Sequence, residues 1–178
     1  PLPLPTKLGM EGSGIIVNKS SDVSNLAIGD RVAYVMALGS YSTHRNIDAN
    51  KLIKIPEKIS DQQAAAVLLK GMTVEYLVER LFKINNSHTV LFHAVAGGVG
   101  LLACQWLKHL GAKIIGTAGS IEKAMLAKKN GCDEVILYRE ENFVEKVKYI
   151  TDNKGVDVVY DGVGKDTAIL GLDCLKPL

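Results

Sequence analysis

A glycine-rich turn between an apolar segment and an amphipathic one limits what this chain can fold into more than any other feature. The turn reads Ala94-Val95-Ala96-Gly97-Gly98-Val99-Gly100, and the flanking runs predict a strand over Val90–Ala96 and a helix over Val99–Leu110. Glycine lets the backbone approach a diphosphate, and the first N–H groups and the dipole of the helix attract that anion. The pattern predicts a dinucleotide-binding turn, and a tight turn in a fold that binds no nucleotide is the alternative.

Strands and helices alternate after this turn. The predicted strands are Lys113–Thr117, Glu134–Leu137 and Val156–Tyr160, and the predicted helices are Ser120–Asn130 (closed by Gly131), Glu140–Thr151 and Asp166–Leu175. Alternation at this spacing predicts an α/β fold. Right-handed crossovers then build the first four strands of a Rossmann-type, doubly wound parallel sheet that is covered on both faces.

The first third of the chain has short strand patterns instead. These short apolar runs are Gly14–Val17, Arg31–Val35 and Leu52–Ile55. Together they predict a small β-rich unit. Ser60 and Gln63 have the spacing of a helix capping box, ahead of a predicted helix Ala64–Leu69 that ends near Gly71. We place the domain boundary close to residue 67, which gives domains 1–66 and 67–178.

Charge and hydropathy exclude several classes of protein. A net charge of +2 is too small to indicate a nucleic-acid partner or an anionic membrane surface. Thr89–Leu107 has 19 residues without Asp, Glu, Lys or Arg, but the glycines at its centre disfavour a membrane helix. The 3 cysteines do not have metal-finger spacing, which predicts reduced thiols and a cytoplasmic protein.

The residues after the second strand of the predicted sheet indicate which nucleotide binds. Sites that select NAD place an acid there to hold the ribose 2′-hydroxyl. This chain has Thr117-Ala118-Gly119-Ser120 with no acid, and Lys123 follows one turn later. Because Lys123, Ser120 and the helix N-terminus favour a 2′-phosphate, we predict NADPH as the cofactor. Glu122 opposes this prediction unless it faces solvent, and Lys123 as an ordinary surface lysine is the alternative.

Several motifs together match those of a known family. The frame that matches around the turn is Ser87-His88, Leu91, Gly97-Gly98-Val99-Gly100, Gln105 and Lys108. Three further segments match, namely Gly9-Met10-Glu11-Gly12-Ser13-Gly14, Gly29-Asp30-Arg31-Val32 and Asp161-Gly162-Val163-Gly164. On these motifs the chain resembles the ζ-crystallin-like quinone oxidoreductase branch of the medium-chain dehydrogenase/reductase superfamily, and the resemblance extends over nearly the whole chain.

The resemblance implies a partial GroES-like domain followed by a partial Rossmann domain, in a zinc-independent enzyme that reduces quinones with NADPH. The cofactor contacts that it carries over are Thr73, Gly97, Gly98, Lys123 and Tyr138. The glycine turn and the segment of residues 117–123 at the end of the second predicted strand, here named the selectivity segment, add Ala96, Val99 and Ser120 as candidates. Thr73 as helix-interior packing and Tyr138 as a half-buried ring at a strand end are the alternatives. A homodimer is implied for the full-length protein.

The chain also departs from the family pattern. Val95 replaces a small residue and is expected to crowd the phosphate turn slightly, and Met10 replaces a histidine ligand of zinc-dependent relatives. Because a thioether is a poor zinc ligand, we predict no metal. Family chains begin before Pro1 and continue past Leu178, so we expect this sequence to be a fragment of a longer protein.

Two other functions remain open at this point. The same cofactor chemistry serves an alkenal or enoyl acceptor as well as a quinone, and a catalytically incomplete nucleotide-binding fragment is a different class of function. No histidine has a catalytic motif, so we assign no catalytic residue. His93 lies in an apolar strand and is predicted to be a core histidine with satisfied hydrogen bonds.

Overall fold

The computed structural model describes residues 4–177, and the chain divides into two compact units, Pro1–Met72 and Thr73–Leu178. The predicted α/β fold class is confirmed, with an antiparallel sheet in the first unit and a parallel sheet in the second. The predicted domain boundary near residue 67 remains a prediction. No helix in the described part of the chain is long and apolar enough to cross a membrane.

The first unit contains three antiparallel strands in the order β1-β2-β3. They are β1 (Glu11–Ile15), β2 (Arg31–Val35) and β3 (Ile53–Lys54), and a short 3-10 helix covers Ala49–Lys51. The first strand begins earlier than predicted because Glu11 and Gly12 pair with Val35 and Tyr34 of β2. The small core of the first unit is formed by Ile16, Leu26 and Val32.

Helix α1 spans Asp61–Glu75 and begins with the predicted capping box. The Gln63 N–H donates to Ser60 Oγ at 3.1 Å, and the Ser60 N–H donates to Gln63 Oε1 at 2.9 Å. The prediction that the helix ends near Gly71 was wrong. A glycine costs a helix only about 1 kcal/mol, and the fully buried Val74 and Val78 hold the following turns in the core. A π-helical segment, Tyr76–Leu81, continues directly from α1.

The second unit contains a parallel sheet in the order β6-β5-β4-β7, which confirms the predicted doubly wound arrangement. Its strands are β4 (Thr89–Phe92), β5 (Lys113–Ala118), β6 (Glu134–Leu137) and β7 (Val158–Tyr160). Its helices are α2 (Gly98–His109), α3 (Ile121–Lys129), α4 (Phe143–Ile150) and α5 (Ala168–Leu172). The sheet order reverses at β4, where open α/β folds place their ligands.

Both faces of this sheet are covered, as expected for parallel strands. Val90 and Phe92 of β4 pack in one core with residues of α2, and Leu91 packs in a second core with Phe143 and Val147 of α4. Successive side chains of a strand point to opposite faces, so β4 contributes to both cores. The carboxyl end of β4 is therefore held from two sides.

Three predicted elements were too long at their N-terminal ends. Helix α4 begins at Phe143 rather than Glu140, because the Asn142 side chain caps it by accepting the N–H groups of Val144 and Glu145. Strand β7 begins at Val158, and α5 begins at Ala168. Strand β4 was too long at its other end, where residues 93–96 form a turn.

Candidate functional site

The glycine-rich turn directly joins β4 to α2, as predicted. Ala94 has a left-handed backbone with φ of 51°, and its carbonyl accepts the Gly97 N–H at 2.8 Å. The Val95 N–H donates to the Thr117 carbonyl of β5 at 3.0 Å. A non-glycine residue in this region is strained by about 1–3 kcal/mol, which is typical of functional turns.

Gly100 is required by close packing of the helix on the turn. A Cβ added at Gly100 would lie 2.4 Å from the Val95 carbonyl oxygen and 2.6 Å from its carbonyl carbon. At Gly97 a Cβ would lie 3.1 Å from the Ala94 carbonyl oxygen. The absence of a side chain at Gly100 therefore lets the helix lie close to the turn.

The expectation that Val95 crowds the phosphate turn was wrong. Its side chain is fully buried and lies over Gly116 of β5, where an added Cβ would be 2.5 Å from Val95 Cγ1. The space that Val95 takes is therefore provided by a glycine on the neighbouring strand. Val95 therefore adds no side chain to the exposed surface of the turn.

The N-terminus of α2 is available to an anion. Its N-cap is Gly97, no side chain caps it, and its first turn contains no acid. Helix α3, in contrast, is capped by Ser120 and α4 by Asn142. Since uncapped first-turn N–H groups attract anions, the turn fits the diphosphate of a dinucleotide.

The selectivity segment lies at the carboxyl end of β5, beside this turn in the sheet. Ser120 Oγ accepts the Lys123 N–H at 3.4 Å. Lys123 is exposed and has no ion pair to an acid within residues 4–177. Glu122 is also exposed, and a hydrogen bond from the Ser120 side chain lowers the pKa of its carboxyl.

Tyr138 follows β6 and covers the backbone of the selectivity segment. A Cβ added at Gly119 would lie 2.9 Å from the Tyr138 hydroxyl, and the tyrosine is 50% exposed. Arg139 Cζ lies 6.0 Å from the centre of the Tyr138 ring. Arg139 is a cation that the sequence reasoning missed, although its place beside Tyr138 was a usable signal.

The eight predicted cofactor-binding residues fall into three places. Four lie in the turn and the first residues of α2, namely Ala96, Gly97, Gly98 and Val99. Ser120, Lys123 and Tyr138 follow the carboxyl ends of β5 and β6, at the same edge of the sheet. Thr73 is half-buried in α1, next to the fully buried Val74. The role of each residue in cofactor binding remains a prediction.

His93 is a core residue, but the prediction that its hydrogen bonds are satisfied was wrong. The residue is 2% exposed, and its ring lies edge-on to Phe143 at a centroid distance of 5.0 Å. Nδ1 lies 3.1 Å from Thr117 Oγ1, whereas Nε2 has no hydrogen-bond partner within residues 4–177. A buried polar atom left unpaired costs about 1–3 kcal/mol.

We expect His93 to make the protein less stable in mild acid. Burial lowers the pKa of its imidazole below 6.5, and the charge of Asp161 only partly opposes this. The unfolded chain therefore binds more protons below pH 6.5, so the free energy of unfolding falls as the pH drops through that window. Urea unfolding at pH 7.5 and pH 5.5 measures the loss, and His93→Phe should reduce it. An equal loss in the variant would contradict this assignment.

The segment Asp161–Gly164 forms a turn that uses its own carboxylate. Asp161 Oδ1 accepts the N–H groups of Val163 at 2.7 Å and Gly164 at 3.0 Å, and Oδ2 accepts the Thr167 hydroxyl at 2.7 Å. Burial raises the pKa of Asp161, but these hydrogen bonds outweigh it and hold the pKa below its usual value. The side chain is therefore occupied in shaping the turn after β7.

Known proteins are similar to this chain over nearly its whole length. A family model described as zinc-binding dehydrogenase matches residues 98–178, and one described as the alcohol dehydrogenase GroES-like domain matches residues 1–57. Quinone oxidoreductase 1 of Escherichia coli (strain K12) is 52% identical over 177 residues, or 99% of this chain and 54% of that protein. The 2-haloacrylate reductase of Burkholderia sp is 43% identical over 176 residues, or 97% of this chain and 53% of that protein.

A solved structure is similar over the same length. The crystal structure of Escherichia coli quinone oxidoreductase complexed with NADPH has a TM-score of 0.95 and 52% identity, over 99% of this chain and 54% of that chain. The chain thus spans about half the length of the curated relatives that it matches. These similarities and the two family models confirm that the chain resembles the quinone oxidoreductase branch of the medium-chain dehydrogenase/reductase superfamily.

Proposed function

We propose that this chain is part of an NADPH-dependent oxidoreductase that reduces quinones. The observation that carries the proposal is the uncapped start of α2, where the exposed Gly97 and Gly98 carry no side chain. The first-turn N–H groups from Gly98 onward would hold the diphosphate. Ser120, Lys123 and Tyr138 would hold the adenosine end. NADPH supplies the hydride chemistry, and the protein binds and orients it.

The choice of NADPH over NADH rests on charge at the end of β5. No acid stands among residues 117–120, and the exposed Lys123 lies in the first turn of α3. Arg139 adds a second cation beside Tyr138. The negatively charged 2′-phosphate of NADPH binds more strongly to such cations than the neutral 2′-hydroxyl of NADH does. The acidic Glu122, bonded to Ser120, reduces this preference without reversing it.

A second candidate acceptor is an activated carbon–carbon double bond. The 43% identity to a 2-haloacrylate reductase favours it, since that protein's name gives a conjugated acid as substrate.

We also propose that the enzyme needs no zinc, because Met10 offers only a thioether at the position of the family's histidine ligand. A homodimer and a cytoplasmic location remain predictions for the full-length protein.

Calorimetric titration with NADPH and NADH, followed by turnover assays, tests the proposal on the protein at its full natural length. We expect NADPH to bind more tightly than NADH and to be oxidised faster with quinones than with α,β-unsaturated carbonyl compounds. The reverse order of acceptors would support the second candidate. No binding of either nucleotide would overturn the proposal, and stoichiometric zinc by elemental analysis would overturn the zinc-independent part.

A further inference from the structure

Thr117 connects β5 to His93 and to the first two residues of the glycine-rich turn. The residue is 2% exposed, and Oγ1 lies 3.1 Å from His93 Nδ1 and accepts the Ala94 N–H at 3.3 Å. Its carbonyl accepts the Val95 N–H at 3.0 Å. One residue of the neighbouring strand thus fixes the start of the turn through three hydrogen bonds.

These bonds hold a backbone conformation that alanine does not favour. Ala94 has φ of 51°, in the left-handed region, and its carbonyl accepts the N–H of Gly97, the N-cap of α2. A strained residue keeps its conformation only where its surroundings determine it. By holding Ala94 in this conformation, the Thr117 hydroxyl helps to orient the N-terminus of α2.

The identity of His93 has no explanation in packing alone. Its ring is buried against Phe143, where an apolar aromatic side chain would avoid an unpaired nitrogen. A buried polar group without a partner is rare in native proteins, so its presence calls for an explanation. The contribution of the imidazole beyond packing is its Nδ1 contact with the Thr117 hydroxyl.

We infer that His93 and Thr117 are positioning residues for the dinucleotide, because they fix the turn so that the first N–H groups of α2 face the diphosphate. This inference rests on the proposed function. Neither side chain is assigned a contact with the cofactor. Their effect passes through the backbone of Ala94 and Val95.

Four variants separate positioning from stability, since affinity and stability should change in different directions. Thr117→Val keeps the shape but loses the hydroxyl, and Thr117→Ser keeps the hydroxyl but loses a methyl group. His93→Phe keeps an aromatic ring, and His93→Asn keeps a polar group at the position of Nδ1 but loses packing. We expect the Kd for NADPH to rise about tenfold in Thr117→Val and His93→Phe, and less than about threefold in Thr117→Ser and His93→Asn.

The measurements are calorimetric titration with NADPH and thermal unfolding without ligand, on the protein at its full natural length. We expect His93→Asn to be less stable than His93→Phe although it binds more tightly. Affinity that follows stability across the variants, or that does not change in any of them, would overturn the inference while wild-type binding leaves the proposed function intact. If the wild-type protein fails to bind NADPH, the proposed function fails, and this inference fails with it.

Discussion

Gly100→Ala should be strongly destabilising, by on the order of 3 kcal/mol in the free energy of unfolding. The added Cβ would lie 2.4 Å from the Val95 carbonyl oxygen, and its three nearest contacts are all backbone atoms of Val95. A side chain could rotate away from such a contact, but this backbone is held by the hydrogen bond from the Val95 N–H to Thr117. Helix α2 must therefore move away from the sheet. Urea unfolding measures the loss.

A matched glycine in the same unit provides the control. Gly162 has no atom within 4 Å of an added Cβ, and its φ is not positive, so Gly162→Ala should change stability by less than about 0.5 kcal/mol. We also expect Gly100→Ala to weaken NADPH binding, because α2 and its N–H groups are displaced together. Equal stability of the two variants would show that the helix can shift at little cost, which contradicts the packing described here.

Much of the second unit could be predicted because its signals are local. Strand β6 was predicted with its observed bounds, and α2 within one residue at each end. Short apolar runs and a glycine after the last helical turn are each recognised from a few neighbouring residues. The doubly wound arrangement followed from the alternation of strands and helices and from the handedness of the crossovers, which needs no knowledge of contacts.

The features that were missed depend on distant partners. The end of β4 at Phe92 follows from the turn geometry of Ala94, and the orientation of Val95 follows from Gly116 on another strand. Similarly, the unpaired Nε2 of His93 is a property of the assembled core. A threonine among the apolar residues that follow Lys113 in β5 was an available signal for the network around the turn. Periodicity alone does not say which neighbour such a residue bonds.

Lys123 should determine which nucleotide binds, and Lys123→Ala is expected to raise the Kd for NADPH about tenfold or more while changing the Kd for NADH less than about twofold. Its ammonium is exposed, and no acid within residues 4–177 neutralises it. It also lies in the first turn of α3, where the helix dipole adds to the attraction of an anion. Lys123→Glu should weaken NADPH binding further, to about a hundredfold, because the charge then repels the 2′-phosphate.

Lys129→Ala provides the control. Lys129 lies at the opposite end of the same helix, and its substitution removes the same charge as Lys123→Ala. A general field effect would weaken NADPH binding in both variants, whereas a local contact weakens it only in Lys123→Ala. Because exposed charges are screened, the difference between NADPH and NADH should also shrink as salt rises from about 0.05 to 0.5 M. A preference for NADPH that survives in Lys123→Ala would move the selectivity to Arg139 and Tyr138, where Arg139→Ala would then be the variant that removes it.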